Sequence, residues 1–405
     1  MRVGLLAIMC LQAPILTLAA LVKNLVVFGD VNSDVENSQN KSSNGPLWSE
    51  YVTVGWNASL HNFARSGAVC DNDIYKTISA KTKVPSIKDQ IEAFYNLNLN
   101  LKAEETVFAL WIGLQDITEM AKRRSNPEPD IKEIKNCIGQ QVRAIRKVFD
   151  SAQFLLFNVP PIGYMPSYSE SDSTLNKSHA AIEINRFLEK DSANLNKHHH
   201  GLNMDYVDIY ALLMDMNVDP TLFDFKYSKL PYLDQCPGDD CSIEADDYVW
   251  WDKTHFTTAF HRSIANSILQ AGSYMPTTYS NSTEYVQKLL NEPKSKFKSK
   301  KYTIKPNSGI VDEAVKEIDL ELQTIPSNMT QQSVLEDDIE SGEPSGTSFN
   351  TDYNMTILIV VVILIGIVGY IGLSKSNCSF QTIFYFIESR GKGKFVPVHT
   401  EEEAL

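Results

Sequence analysis

Residues 25–34 read Leu-Val-Val-Phe-Gly-Asp-Val-Asn-Ser-Asp. A short apolar run that ends in Gly29-Asp30 is typical of a buried strand leading into a loop. This stretch predicts the first strand of an α/β sheet. The residues after Gly29 then lie beyond the carboxyl end of the strand, where open α/β sheets gather their ligands.

The same alternation of strand and helix patterns continues along the chain. Residues 106–112 and 153–158 are further apolar runs, and Ile and Val recur at three- and four-residue steps between 131 and 148. Strand, helix and strand in that order imply a parallel crossover. Additional helices are predicted at about 180–196 and 257–270, and another strand at 205–209. Together these elements predict a single α/β domain with a mostly parallel sheet.

The amino-acid composition and net charge argue against a nucleic-acid partner. The chain has 405 residues, of which 43% are hydrophobic and 21% charged, as in a globular protein. With 37 Lys and Arg against 50 Asp and Glu, its formal charge is -13. A nucleic-acid partner requires a basic face, so we expect none.

Two long apolar segments predict a membrane protein. Residues 1–20 are interpreted as a cleaved signal peptide, with an uncleaved anchor as the alternative. Residues 353–374 carry no charge and predict a transmembrane helix. Acidic residues precede this segment, and Lys and Arg follow it in residues 375–405. The predicted arrangement is a single-pass type I membrane protein with a cytosolic tail. The expected location is the plasma membrane or a vacuolar or endosomal membrane, and the tail is a candidate contact for a sorting partner.

The region between the domain and the apolar segment changes in composition. We predict an ectodomain over 21–280 and a polar, disordered stalk over 281–352, because Ser, Thr, Lys, Glu and Asn dominate there. A lysine-rich stretch over 294–305 is interpreted as solvated spacer. Contact with an anionic polymer or membrane, and proteolytic release, are the alternatives.

Cysteines and glycosylation sequons fit a translocated domain. Cys236 and Cys241 close a short loop and are the favoured local disulfide, which leaves Cys70 and Cys137 as a pair by elimination. A metal site of all four thiolates lacks the usual C-x2-C spacing, so no metal is expected. Predicted glycosylation sites outside the membrane are Asn40, Asn57, Asn176, Asn281 and Asn328.

Four motifs follow one another at residues 28–34, 62–68, 111–116 and 250–255. Their order resembles the sequence blocks of the SGNH (GDSL-type) ester hydrolases. The stretch Asn44-Gly-Pro-Leu-Trp and the ending Trp-Trp-Asp-x-x-His are similar to the secreted fungal carbohydrate acetylesterase-like branch, which implies a fungal origin. The resemblance covers roughly residues 23–275. It implies a three-layer, flavodoxin-like α/β domain with a parallel sheet and no cofactor.

The resemblance also implies a mechanism. In the family a serine after Phe-Gly-Asp attacks the ester, a Gly N–H and an Asn amide stabilise the oxyanion, and Asp-x-x-His supplies the base. The matching residues here are Gly67, Asp252 and His255. Val31 stands at the nucleophile position, and Gln115 stands where the family has Asn.

These two departures predict a disabled esterase site. The valine side chain has neither a proton to release nor a lone pair, and loss of a triad serine costs on the order of a millionfold in kcat. Glutamine moves the amide by roughly 1.5 Å, and loss of an oxyanion donor costs about 10²- to 10³-fold. Ser33 is the candidate substitute nucleophile, with Ser66 as a second one. Trp250 and Trp251 either line a sugar-binding cleft or pack in the interior.

Three functions are therefore open. The leading one is a membrane-anchored esterase-like protein with lost or greatly reduced activity, whose cleft binds an acylated glycan, such as cell-wall polysaccharide, or a protein partner. The second is an active carbohydrate acetylesterase or lipid ester hydrolase with a non-standard nucleophile. The third is a passive scaffold for trafficking or adhesion.

Overall fold

A computed structural model describes residues 21–35, 42–75, 84–122, 128–167, 174–199, 201–238 and 242–324. A five-stranded parallel sheet has the order β2-β1-β3-β4-β5. Its strands are β1 (Asn24–Gly29), β2 (Ser59–Asn62), β3 (Thr106–Trp111), β4 (Gln153–Phe157) and β5 (Asn203–Val207). This is the strand order of flavodoxin-like doubly wound folds, so the predicted α/β domain with a parallel sheet is confirmed. A second, two-stranded sheet pairs β6 (Tyr227–Pro231) with β7 (Tyr248–Trp250).

Ten α-helices lie in the described residues, and eight of them form two packed groups. Their bounds are α1 (Trp48–Trp56), α2 (Ile87–Leu97), α3 (Leu114–Ala121), α4 (Glu128–Val148), α5 (Thr174–His198), α6 (Ile209–Val218), α7 (Tyr232–Gln235), α8 (Thr258–Ala271), α9 (Thr283–Leu290) and α10 (Ile310–Thr324). Helix α1 packs on α8 and α9, whereas α4 packs on α2, α3, α5 and α10. Two such groups are expected of the layers that cover the faces of a doubly wound sheet.

The central strands are buried on both faces, which explains their continuous apolar sequences. Every residue of β3 is buried, and so is every residue of β1 after Asn24. Gly29 pairs with Trp111 at the carboxyl end of the two strands. A Cβ atom on Gly29 would lie 2.8 Å from the Trp111 carbonyl oxygen, so the close approach of these strands requires glycine.

Residues 281–324 correct the expectation of a stalk that begins at residue 281. This segment, which we call the C-terminal strap, is folded against the domain. Helix α9 buries Val286 and Leu290 in the core. The strap then runs beside β2, where Leu60 N–H donates to the Lys296 carbonyl at 2.9 Å and the Tyr302 ring stacks on Phe63 at 4.3 Å. The ordered domain therefore extends at least 44 residues past the boundary at residue 280.

The strap ends in a helix that is capped by side chains from α2. The Glu92 carboxylate accepts four hydrogen bonds, from Ser308 N–H, Ser308 Oγ, Gly309 N–H and Ile310 N–H. These include N–H groups at the start of α10, which have no partner within their own helix. Asp89 accepts two further bonds of 2.7 Å from the backbone and side chain of Asn307. The strap is thus fixed by carboxylates that lie more than 200 residues earlier in the chain.

One predicted disulfide is confirmed. Cys70 and Cys137 are bonded, with their Cα atoms 6.2 Å apart, and they join the loop after β2 to α4. Cys236 is also disulfide-bonded, but Cys241 lies outside the described residues, so their pairing stays a prediction.

Several predicted features lie outside the described residues: the signal peptide, the apolar segment 353–374, the tail, Asn40 and Asn328. Among the described helices, none has both the length and the apolar composition needed to cross a bilayer. Asn57 is exposed where α1 ends, and its glycosylation stays a prediction.

Candidate active site

The first three motifs meet at the carboxyl edge of the sheet. Asp30 N–H donates to the Trp111 carbonyl at 3.2 Å, and Arg65 N–H donates to the Gly29 carbonyl at 3.1 Å. These bonds continue the pairing of β1 with β3 and β2 beyond the strand ends. The loops that follow the three strands are therefore adjacent, as parallel α/β topology requires.

The loop after β1 is a tight, polar turn. Asn32 N–H donates to Asp30 Oδ1 and Ser33 N–H donates to the Asp30 carbonyl, each at 3.1 Å. The Asn62 amide donates to the Ser33 carbonyl at 2.7 Å. Asp34 Oδ2 accepts from both the N–H and the hydroxyl of Ser66, at 2.7 and 2.9 Å. These contacts lock the first motif to the second.

Gly67, the predicted oxyanion donor, has a left-handed backbone conformation. Its φ angle is +85°, in the region that favours glycine. Within the described residues its N–H donates no hydrogen bond. The group is therefore available to a ligand oxygen.

Asp252 and His255 form an intact pair in the loop between β7 and α8. Asp252 Oδ1 accepts from the backbone N–H groups of Thr254 and His255 at 2.7 and 2.8 Å. Its Oδ2 lies 2.6 Å from His255 Nδ1. Because the carboxylate accepts at Nδ1, the neutral ring presents Nε2 as its acceptor. Within the described chain Nε2 makes no hydrogen bond.

The carboxyl group of Asp252 stays ionised. Burial opposes ionisation, but the hydrogen bonds from His255 and Thr254 outweigh it and lower the pKa of Asp252 to about 2. An ionised partner holds the imidazole in one orientation and stabilises its protonated form, which is what a general base requires.

Thr258, in the first turn of α8, bonds to the segment that precedes α1. Its N–H donates to Asn44 Oδ1 at 2.7 Å, and its hydroxyl donates to the Pro46 carbonyl at 2.8 Å. A Cβ atom on Gly45 would lie 2.8 Å from the Thr258 hydroxyl. The Asn44-Gly45-Pro46 stretch therefore seats the first turn of α8, a role that the sequence alone did not indicate.

The candidate nucleophiles are engaged elsewhere. Ser33 is fully buried, and its hydroxyl accepts from Trp48 Nε1 at 3.2 Å. The Ser66 hydroxyl donates to Asp34. Among the described residues, no serine hydroxyl forms a hydrogen bond with His255. Val31, half-buried in the same turn, offers only methyl groups.

Gln115 also differs from the expected oxyanion donor. Its Nε2 donates to Glu119 Oε1 at 2.9 Å, one turn along α3. The amide is therefore committed to its own helix in this structure. Residues four apart lie on the same face of a helix, which places Glu119 within reach of Gln115.

Two buried carboxyl groups in the motifs were not predicted. Burial raises the pKa of Asp116 to about 6, although Cys70 N–H and the Tyr75 hydroxyl donate to its carboxylate. Burial and the nearby charge of Asp116 raise the pKa of Asp30 to about 7. Asp30 Oδ2 has no hydrogen-bond partner in the described chain. The sequence did contain a clue to them, because Asp30 and Asp116 lie within the motifs at 28–34 and 111–116.

The two tryptophans have different environments. Trp250 is 1% exposed, and its Nε1 donates to the Ser228 carbonyl at 2.8 Å. It therefore packs in the interior and does not line an accessible cleft. Trp251 is half-buried and stacks on Tyr232, with ring centroids 5.2 Å apart. Only Trp251 remains a candidate for contact with a ligand.

The loops that carry the first three motifs are adjacent at the carboxyl edge of a parallel α/β sheet, and the Asp-x-x-His pair lies in the loop before α8. The chain belongs to the GDSL-like lipase/acylhydrolase family, whose model matches residues 25–268. The strap lies beyond this match.

Two curated relatives are similar in sequence. The chain is 25% identical over 284 residues to a thermolabile hemolysin of Vibrio parahaemolyticus, covering 62% of this chain and 64% of the hemolysin. It is 22% identical over 271 residues to an acetylesterase of Hypocrea jecorina, covering 57% of this chain and 78% of that protein. The match thus spans less than two thirds of the hemolysin's own length.

Solved structures of esterases also match. A catalytic mutant of an acetylxylan esterase from Geobacillus stearothermophilus is 12% identical with a TM-score of 0.37, covering 65% of this chain and 98% of that one. A phospholipase A1 from Streptomyces albidoflavus is 15% identical with a TM-score of 0.34, covering 63% and 98%.

Proposed function

We propose that this protein is a membrane-anchored member of the GDSL family whose ester hydrolase activity is lost or greatly reduced. Its cleft binds an acylated glycan or a protein partner instead of turning over an ester. The anchor is the apolar segment 353–374, which would leave the family domain outside the cytosol.

One combination of features supports this proposal. The His255–Asp252 pair is in place at 2.6 Å, whereas the turn after β1 offers it no serine hydroxyl. Val31 stands directly after Asp30, and the nearest serine along the chain, Ser33, is bound to Trp48. A base without a nucleophile cannot form an acyl-enzyme.

Repair of the site tests the proposal. The full chain, in which the strap is intact, is assayed for hydrolysis of p-nitrophenyl acetate as the native protein, as Val31→Ser, and as Val31→Ser with Gln115→Asn. We expect background rates from the native protein and measurable turnover from Val31→Ser. Further gain is expected in the double variant, since an oxyanion donor contributes about 10²- to 10³-fold. Adding His255→Ala to the repaired variants removes the general base and serves as the control.

Turnover by the native protein that is lost in His255→Ala contradicts the proposal. In that case a fluorophosphonate probe identifies the nucleophile, and Ser33→Ala and Ser66→Ala show which hydroxyl carries the label. The hydrogen bonds of Ser33 to Trp48 and of Ser66 to Asp34 make both of them poorly placed for this role.

The membrane anchor has its own test. We expect the full chain to stay in the pellet when membranes are extracted with alkaline carbonate, and a form ending at residue 324 to be released. Release of the full chain contradicts membrane anchoring and leaves the assignment of the catalytic site unaffected.

A further inference from the structure

A polar cavity of about 300 Å³ lies between the first loop of the domain and the strap. One wall is formed by the chain around Asp34 and Asn44 and by Glu50 of α1. The opposite wall is formed by Gln287 and Asn291 of α9 and by Lys298. No residue of the 250–255 motif lines it. The cavity is therefore distinct from the His255–Asp252 pair.

The strap makes this cavity a feature of this chain and not of the family domain alone. The family match ends at residue 268, and the whole second wall lies after residue 280. The wall is held in place by the buried side chains of Val286 and Leu290 and by the bond between Lys296 and Leu60. Because Val286, Leu290 and Leu60 belong to the hydrophobic core, the second wall is fixed to the domain.

Glu50 supplies a carboxyl group to the first wall of the cavity. Its Oε2 accepts from Leu47 N–H at 2.8 Å, and Oε1 has no hydrogen bond within the described chain. Burial raises the pKa of Glu50 to about 7, although the positive charge of Lys298 opposes the shift. The wall also contains Ser43, whose buried hydroxyl has no partner among the described residues.

The remaining lining of the cavity combines amide side chains with apolar side chains. Asn44, Gln287 and Asn291 supply side-chain amides that both donate and accept. The apolar lining consists of Val35, Pro46, Leu47 and Leu290. A ligand that fits has hydroxyl groups around its rim and a C–H face that packs on leucine.

Other small ligands fit less well. Asp34 and Glu50 oppose a phosphate or sulfate group, since each ionised carboxylate repels an anion. A metal ion is disfavoured because the described residues contain no group of three or more His, Cys, Asp or Glu side chains able to hold one. Lys298 opposes an organic cation.

We propose that the cavity between the first loop and the strap binds one unit of a neutral sugar through Glu50, Lys298 and the surrounding amides. A volume of about 300 Å³ is at the lower end for ligand pockets and suits a single ring. The cavity shares Asp34 with the first motif but none of its lining with the 250–255 motif, so its occupation does not require an active esterase site.

Saturation-transfer NMR on the full chain tests the proposal. The protein is held in a detergent without a sugar headgroup and titrated separately with glucose, mannose, xylose and N-acetylglucosamine. We expect transfer to at least one sugar, with binding at least tenfold weaker in both Glu50→Gln and Lys298→Ala. Glutamine preserves the acceptor for Leu47 N–H, and Lys298 is exposed, so neither change is expected to prevent folding.

Two matched controls distinguish this site from others. Lys300→Ala removes a second exposed strap lysine that does not line the cavity, and we expect unchanged binding. His255→Ala is also expected to leave binding unchanged. The proposal is overturned by absence of transfer to all four sugars, or by binding that survives both cavity variants. It is equally overturned by binding that His255→Ala abolishes, because the sugar would then occupy the catalytic motif.

Discussion

Oδ2 of Asp252 lies 2.6 Å from Nδ1 of His255, and Oδ1 of the same carboxylate accepts from the backbone N–H groups of Thr254 and His255. One carboxylate therefore orients the imidazole and also fixes the turn that carries it. This dual role gives the pair a structural function as well as a chemical one. The geometry has structural value even where no acyl-enzyme forms.

Ionisation of Asp252 contributes to the free energy of unfolding at acidic pH. Its folded-state pKa of about 2 lies below the ordinary value of 3.8, so its contribution is present above pH 4 and is lost as pH falls through about 2. We expect Asp252→Asn to lose less stability than the native protein between pH 4 and 2, as measured by urea unfolding. Parallel curves for the two proteins in this window would show that Asp252 is not the responsible group. Because the side chain is 32% exposed, solvent screening keeps the difference small.

The pKa of Asp30 is shifted in the opposite direction, so its effect on stability changes with pH in the opposite sense. Its folded-state pKa of about 7 exceeds the ordinary 3.8, so the folded protein retains a proton that the unfolded chain releases. Its contribution to stability is full below pH 4 and declines as pH rises toward 7. Asp30→Asn keeps the acceptor for Asn32 N–H and removes the buried charge, so we expect its Tm at pH 8 to rise by about 3 °C or more.

Asp34→Asn is the matched control for Asp30. Asp34 lies four residues later in the same turn, but its Oδ2 accepts two hydrogen bonds from Ser66. Removing that charge weakens two charge-assisted bonds, and we expect a lower Tm. An Asp30→Asn variant that is less stable than the native protein at pH 8 would refute the assignment of a buried, uncompensated carboxylate. Glu50 titrates in the same range, so the comparison is between variants and not between pH values alone.

Removing the hydrogen bonds between Glu92 and the start of α10 tests how much they stabilise the strap. Glu92→Ala leaves three N–H groups and a hydroxyl without their acceptor, and we expect a loss of about 3 kcal/mol in the free energy of unfolding. This corresponds to a decrease in Tm of roughly 5–10 °C, measured by scanning calorimetry. Glu104→Ala, an exposed acid elsewhere on the domain, is the control and should change Tm little. Equal effects of the two changes would mean that the strap is not held through Glu92.

Truncation tests the strap as a whole. A form ending at residue 280 loses the Tyr302 ring from Phe63 and leaves Asp89 and Glu92 without the partners that the strap supplies. We expect it to aggregate or to unfold at a lower temperature than a form ending at residue 324. Limited proteolysis gives an independent measurement, since cleavage near Lys300 should be slow in the longer form. Indistinguishable stability of the two forms would contradict a structural role for the strap.

Local patterns in the sequence determined much of the fold. The apolar runs at 25–28, 106–112 and 153–158 correspond to β1, β3 and β4 because burial on both faces imposes a continuous apolar sequence. The resemblance to the SGNH hydrolases implied the roles of Asp252 and His255, and the two side chains are 2.6 Å apart. The disulfide between Cys70 and Cys137 followed from excluding the other pairs.

Contacts between distant parts of the chain were decided only by the tertiary structure. The polar overall composition of the strap led to its interpretation as a stalk, although apolar residues recur at helical spacing at 311, 315, 318 and 322. Asn307 bonds to Asp89 at a separation of 218 residues, which no local pattern indicates. Whether Ser33 meets His255 or Trp48 depends on how the loop after β1 is fixed by side chains from β2 and α1. A residue type and its neighbours determine what a side chain can do. The packing of elements far apart in sequence determines which of those possibilities is realised. Those other segments supply the hydrogen-bond partner and bury the side chain away from solvent.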